Sequence, residues 1–333
     1  MKTIYFCVFL LLLCHGKIQA QEGMIMTVKG PIASSEIGLS LIHEHVMVDF
    51  IGADSTGDHR WERSEVIRVA QPYLEQVQKL GVNTFVECTP AYIGRDPLLL
   101  KELSDATGLH FITNTGYYGA ADNKFLPPQA YSETADQLAE RWIQEWENGI
   151  DGTGIKPGFI KTGVNNGPLS PLHIKLITAA ARTHRKTGLV IASHTGPAIP
   201  AFEQLEILER EGVLPEAFIW VHAQSEKNKS LYVKAAQKGA WISLDGLNDS
   251  NIEDYLKMVK NLKEQGLLHK TLLSHDAGWY SPGEKNGGNF RGYTILFEKF
   301  IPLLVQEKFS EAEVKQLLIT NPEKAFEIRI RKK

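Results

Sequence analysis

From about residue 39 the chain repeats one pattern eight times, a short apolar run followed by an amphipathic segment. The runs are 39–46, 83–88, 110–115, 157–162, 189–194, 217–222, 240–245 and 271–276. Most are near-continuous in Val, Ile, Leu, Phe and Trp, as strands covered on both faces must be. Segments 64–80, 133–147, 171–187 and 251–265 carry helical periodicity instead. Gly81, Gly108, Gly188, Gly212, Gly239 and Gly266 fall before the next run, where a helix ends. Eight such units predict an α/β fold, a (β/α)8 TIM barrel with its active site at the C-terminal ends of the strands. An open doubly wound sheet is the other arrangement, but no Gly-rich phosphate turn follows the first run.

The strand ends carry the chemistry. Residues two apart on a strand share a face, so His43 and His45 in Leu41-Ile42-His43-Glu44-His45 aim both imidazoles at one point. Lys161 lies near the end of strand four, His194 ends strand five, His222 strand six and Asp276 strand eight. Singly, such a histidine is an ordinary polar end and such a lysine ordinarily snorkels to water. All six at the one rim where barrel active sites form point to a metal centre. An ammonium repels a metal, but a neutral amine, favoured by burial beside other cations, can add carbon dioxide. The resulting carbamate has two oxygens and can bridge two ions, which suits six ligands better than one four-coordinate zinc.

Composition bounds the rest. The 333 residues are 43% hydrophobic and 23% charged, with a pI near 6.4 and a net charge of −3. No basic run favours nucleic acid, and the charge opposes a polyanionic partner. Lys2, the apolar run Ile4 to Cys14 and the small residue Ala20 read as a secretory signal, residues 1–20, cleaved before Gln21. The run is too short to span a membrane. Cleavage removes Lys2, Lys17, Cys7 and Cys14, leaving a net charge of −5 and Cys88 alone. The mature chain, 21–333, is then a single exported domain, periplasmic or secreted, with no internal disulfide.

Several stretches resemble the phosphotriesterase-like (phosphotriesterase-homology) family of the amidohydrolase superfamily. They are Leu41-Ile42-His43-Glu44-His45, Gly158-Phe159-Ile160-Lys161, Ser193-His194-Thr195, Val221-His222, Ser274-His275-Asp276, Asn286-Gly287-Gly288, Phe300-Ile301-Pro302-Leu303 and Asn321-Pro322. By that resemblance His43, His45, Lys161 and Asp276 hold the more buried of two metals. Carbamylated Lys161 bridges to a second metal on His194 and His222, and the protein is a homodimer. Zinc is the default for such ligands. The implied chemistry is a metal-bridging hydroxide that cleaves an ester-type bond, with Asp276 accepting the proton. The substrate is a small-molecule ester, and neither nucleic acid nor a membrane is engaged after signal cleavage.

The resemblance narrows the substrate less. True phosphotriesterases carry a relay aspartate soon after the strand-six histidine and a histidine ending strand seven; here stand His222-Ala223-Gln224-Ser225 and Asp245-Gly246-Leu247. Related lactonases have an arginine where Gly246 stands, whereas Tyr118 matches a pocket tyrosine among them. Lactones or carboxylic esters are therefore expected ahead of phosphotriesters. Tyr118, Asn165, Asp245, Trp279 and Tyr280 are the expected substrate contacts. His275 should face the helices, while His59, His110, His173, His184 and His269 are expected to be solvated. Two rivals remain. A DNase-like hydrolase of the superfamily has glutamate where Lys161 stands, and an acidic chain collects DNA poorly. A non-catalytic binding protein on the same scaffold would have lost a ligand. A serine hydrolase lacks its Gly-x-Ser-x-Gly elbow here.

Overall fold

The computed structural model describes residues 23–333, so the signal segment expected over 1–20 lies outside the described residues. All eight strands form: Leu39–Met47, Val82–Glu87, His110–Ile112 continuing as Asn114–Thr115, Phe159–Gly163, Ile191–His194, Phe218–Val221, Trp241–Leu244 and Thr271–Leu273. Each pairs in parallel with the next. The eighth strand is shorter than expected. The chain leaves the ladder at Ser274 and resumes as a strap, Gly278–Tyr280, parallel to the first strand at His45 and Met47. That pairing closes the barrel. A Cβ at Gly278 would sit 1.8 Å from the His45 carbonyl oxygen, so only glycine lets the strap approach.

Helices Arg63–Lys79, Pro97–Thr107, Ala135–Asn148, Pro171–Thr187, Ala198–Arg210, Lys229–Lys238 and Ile252–Glu264 follow the first seven strands. Helix 171–187 shows how the sequence sets such boundaries. Ser170 caps the His173 N–H, Pro171 supplies a preset φ at the first position, and Gly188 stops the helix in the left-handed region at φ 77°. No helix among the described residues is long and apolar enough to cross a membrane.

Strand alternation sorts the core into two shells. Leu41, Phe85, Phe111, Ile160, Ile191, Trp220 and Ile242 face the helices. Ile42, Val86, Ile112, Phe159, Ala192, Ile219, Trp241 and Leu272 fill the barrel. The floor is closed by an N-terminal hairpin that the repeat pattern does not announce, Met24–Thr27 with Gly30–Ala33. Phe326 of the last helix packs edge-on against Phe159 from the same side.

Two of the histidines expected in water are buried. His173 binds the Gly119 carbonyl at 2.9 Å and Asn123 Oδ1 at 3.0 Å. His184 donates from Nδ1 to the Leu189 carbonyl and accepts the Arg331 N–H at Nε2, and burial pushes it down to about 4. Both sit on the inward face of helix 171–187, where a ring that finds carbonyl partners can be enclosed.

Asn321 ties the C-terminal helix to the start of strand eight, its amide donating to the Leu268 and Thr271 carbonyls at 2.8 and 2.7 Å. Asn321→Ala strands both buried acceptors. The expected loss is about 2 kcal/mol, read in calorimetry as a melting temperature several degrees lower, with metal content unchanged.

Candidate metal centre

Strict alternation would place His43 with Leu41, against the helices. A β-bulge prevents that. Leu41 pairs with Phe85 and Glu44 with Glu87, so three steps on the first strand match two on the second. The extra residue flips the parity. Ile42 and His43 both face inward, Glu44 outward and His45 inward again.

Lys161 and His194 reach the cavity by ordinary alternation, two residues beyond Phe159 and Ala192. His222 follows the inward-facing Val221 and should point out. Its backbone is left-handed, φ 61°, which swings the ring back over the barrel. Asp276, at φ 54°, is turned in the same way. Non-glycine residues rarely adopt this conformation, and here two potential ligands do.

The six side chains expected from the sequence line one cavity of about 80 Å³ at the C-terminal mouth. His45 Nε2 lies 3.0 Å from Asp276 Oδ1, and His43 Nε2 lies 3.7 Å from the same oxygen. One donor atom from each of these three residues falls within 4.8 Å of the others. Lys161 Nζ is 3.3 Å from His43 Nε2. The His194 and His222 rings are 4.4 Å apart, and His222 is 5.2 Å from His43.

A surrounding layer orients the donors. Asp245, fully buried, accepts from the Nδ1 of His222 at 2.6 Å and lies 3.3 Å from that of His43. Ser243, Gln224 and the His222 N–H complete its shell. Thr89 Oγ1 lies 2.8 Å from His45 Nδ1 and is itself held by Glu87 and the Met47 carbonyl. Nδ1 is thus engaged outside the cavity in three of the four imidazoles, leaving Nε2 free to ligate. The His194 ring makes no hydrogen bond with the described residues, although its backbone carbonyl accepts the Val164 N–H.

The surroundings hold two of these rings neutral, as ligands must be, and keep Asp276 ionised. Burial and the Lys161 charge push His43 down to about 4. Burial and the neighbouring His222 hold His194 well below its ordinary value. Burial would lower His222 too, but the Asp245 carboxylate outweighs it and the net shift is upward. For Asp276 burial is again the largest influence and would raise the carboxyl; the hydrogen bond to His45 and the surrounding imidazoles outweigh it, so the group stays below the usual range.

A family model described as the Phosphotriesterase family matches residues 23–326. The chain belongs to the phosphotriesterase family. It is 32% identical to the phosphotriesterase homology protein of Escherichia coli, across 87% of this chain and 98% of that one. It is 30% identical to the aryldialkylphosphatase of Saccharolobus solfataricus, across 90% and 98%. The solved organophosphorus hydrolase of Deinococcus radiodurans superposes with a TM-score of 0.82 at 25% identity, covering 92% of this chain and 98% of that one. The chain is accordingly a phosphotriesterase-family hydrolase, and its donor set of imidazoles and a carboxylate fits the metal dependence typical of the family.

Two of the five expected substrate contacts line the cavity. Tyr118 stands edge-on to His194 at 5.1 Å, and Trp279 to His45 at 5.9 Å. The other three do not. Asp245 sits behind His43 and His222 with no route to substrate. Asn165 braces Asp122 of the neighbouring loop through two hydrogen bonds of 3.1 Å. Tyr280 alternates away from Trp279 into the outer core, its hydroxyl 3.5 Å from Glu65. Cys88, Val48, Phe50, Pro90 and Ile93 line the cavity without having been anticipated. For Cys88 the signal was present, since it shares strand parity with the inward-facing Val86.

Asp245→Asn puts an amide where two Nδ1–H groups need an acceptor. Metal affinity is expected to fall by about 10- to 100-fold, measured by chelator competition, with the folded state retained in circular dichroism.

Proposed function

We propose that the protein is an exported, binuclear metal-dependent hydrolase of small-molecule esters, with lactones and carboxylic esters ahead of phosphotriesters. The observation that carries this reading is the Lys161 amine between two sets of metal-competent side chains. His43, His45 and Asp276 would hold one ion, and His194 and His222 the other. Lys161 would bridge them after its amine adds carbon dioxide, forming a carbamate and releasing one proton. Zinc suits these donors. Bound there, two divalent cations would supply Lewis-acid polarisation of the ester oxygen and acidify water for attack at neutral pH.

The chain's own residues do the rest. Asp276, held ionised beside His45, accepts the proton that the attacking water gives up. Asp245 and Thr89 fix the imidazole orientations throughout. Val48, Phe50, Ile93, Tyr118 and Trp279 form a largely apolar wall that keeps bulk water from the reacting bond. Tyr118 beside His194 in the cavity, and the lack of a relay aspartate in Ala223-Gln224-Ser225, favour lactones and carboxylic esters. Export, to the periplasm or the medium, rests on the apolar run Ile4 to Cys14 before Ala20. We further propose a homodimer that engages neither nucleic acid nor membrane.

The test is to load the chain from Gln21 with zinc, count metal per chain and assay lactones, carboxylic esters and phosphotriesters, with and without bicarbonate. About two ions per chain and bicarbonate-dependent turnover are expected, both lost in Lys161→Met. A Lys161→Met protein that binds and turns over normally would sink the carbamate. Asp276→Asn should lower kcat by at least about 100-fold; wild-type kcat in that variant would remove its role as proton acceptor.

A further inference from the structure

We infer that Arg291 selects the substrate by binding an anionic group carried away from the scissile bond. The proposal rests on the ester-hydrolase reading above and narrows it to acid-bearing esters and lactones.

The loop after strand eight is closed at its neck by Gly278 and Arg291, which exchange backbone hydrogen bonds of 3.0 and 2.9 Å. Arg291 is thereby held beside the residue that precedes Trp279. Its guanidinium lies over the Trp279 indole, with Cζ 4.8 Å from the ring centroid, and Nη2 donates to the Asp276 carbonyl. The same indole lines the cavity and meets His45. One aromatic ring therefore separates a fixed positive charge from the metal-ligating residues.

That charge is unspent. Arg60 and Arg63 are paired with Asp49 and Asp96. Arg291 makes no ion pair with a carboxylate among the described residues and is exposed at the rim. A guanidinium offers five N–H donors in a planar fork that matches a carboxylate, and a carbonyl occupies one here. Stacking on tryptophan holds the fork in place, which limits the side-chain entropy lost on binding.

The mouth of the cavity gives the fork its purpose. Phe50 lines the cavity, meets Trp279 edge-on at 5.5 Å and is exposed, so a substrate substituent that leaves the cavity on this side runs past these two rings. Phe50 and Ile51 are each 44% exposed there, an apolar surface for a short alkyl spacer. The Trp279 indole N–H is buried and has no acceptor among the described residues, so the ring is held by packing alone. A cationic fork and an apolar spacer surface together fit a short aliphatic acyl or alkoxy chain ending in an anion.

The experiment uses the zinc-loaded protein and two probes that differ by one charge, monomethyl and dimethyl glutarate. Wild type should favour the monoanion in kcat/KM by about tenfold or more, the scale of one charged hydrogen bond, and less so at high salt. Arg291→Gln should bring the ratio towards one, mainly through KM, and Arg291→Lys should restore part of it. Equal use of both probes by wild type, or a ratio unmoved by Arg291→Gln, overturns the assignment. Glutarate binding, followed by calorimetry, gives a readout free of turnover. A protein inert to both esters that binds glutarate about tenfold less tightly after Arg291→Gln would keep this inference and reject the ester reading. Ester turnover with glutarate binding indifferent to Arg291 would do the reverse.

Discussion

The hydrogen-bond cluster around Glu44, the residue between His43 and His45, is the interaction on which the rest depends. Fully buried and facing away from the cavity, Glu44 accepts hydrogen bonds from the Ser274 hydroxyl, the His275 and Ala277 N–H groups and the His275 ring. His275 Nε2 in turn accepts the Leu296 N–H, which fixes its tautomer. One carboxylate therefore joins the first strand to the end of the last. It anchors Ser274, His275 and Ala277 on either side of the left-handed turn at Asp276, which brings that carboxylate to His45. A buried charge so completely hydrogen-bonded offsets its desolvation; stripped of these donors it would be strongly destabilising.

Asp245 has the corresponding role at the centre of the mouth. Two histidines from strands far apart in sequence share it, and each presents its other nitrogen to the cavity as a result. The layer behind the ligands thus acts as a single rigid mount. Glu44 holds strands one and eight, Asp245 holds strands one, six and seven, and Thr89 with Glu87 holds strands one and two.

The repeat of apolar runs is legible because strands buried on both faces leave little room for polar residues, and the eight observed strands overlap the eight expected. The six cavity residues are legible because metal-competent side chains recur at one end of those strands. What could not be read is local backbone geometry. Nothing in Leu41-Ile42-His43 announces a bulge, nor does Val221-His222 announce a left-handed turn, yet each reverses the face on which a histidine lies. The same blindness misplaced Asp245 and Tyr280, where polarity near a strand end does not tell a ligand's support from a substrate contact. The burial of His173 and His184 follows from tertiary carbonyl partners that helical periodicity does not reveal. Phe50 and Ile93 come from loops whose path the repeat leaves open.

The closure through Glu44 bears on the order of events during synthesis. His43 and Ser274 touch across 231 residues of chain, so the cluster of His43, His45 and Asp276 cannot assemble on a nascent polypeptide that lacks strand eight. A chain cut short anywhere before Asp276 carries imidazoles without the carboxylate that organises them. Contacts of such long range form late, because loop closure must precede them. An ion held by His43, His45 and Asp276 together would therefore be captured only after the first and last strands have met.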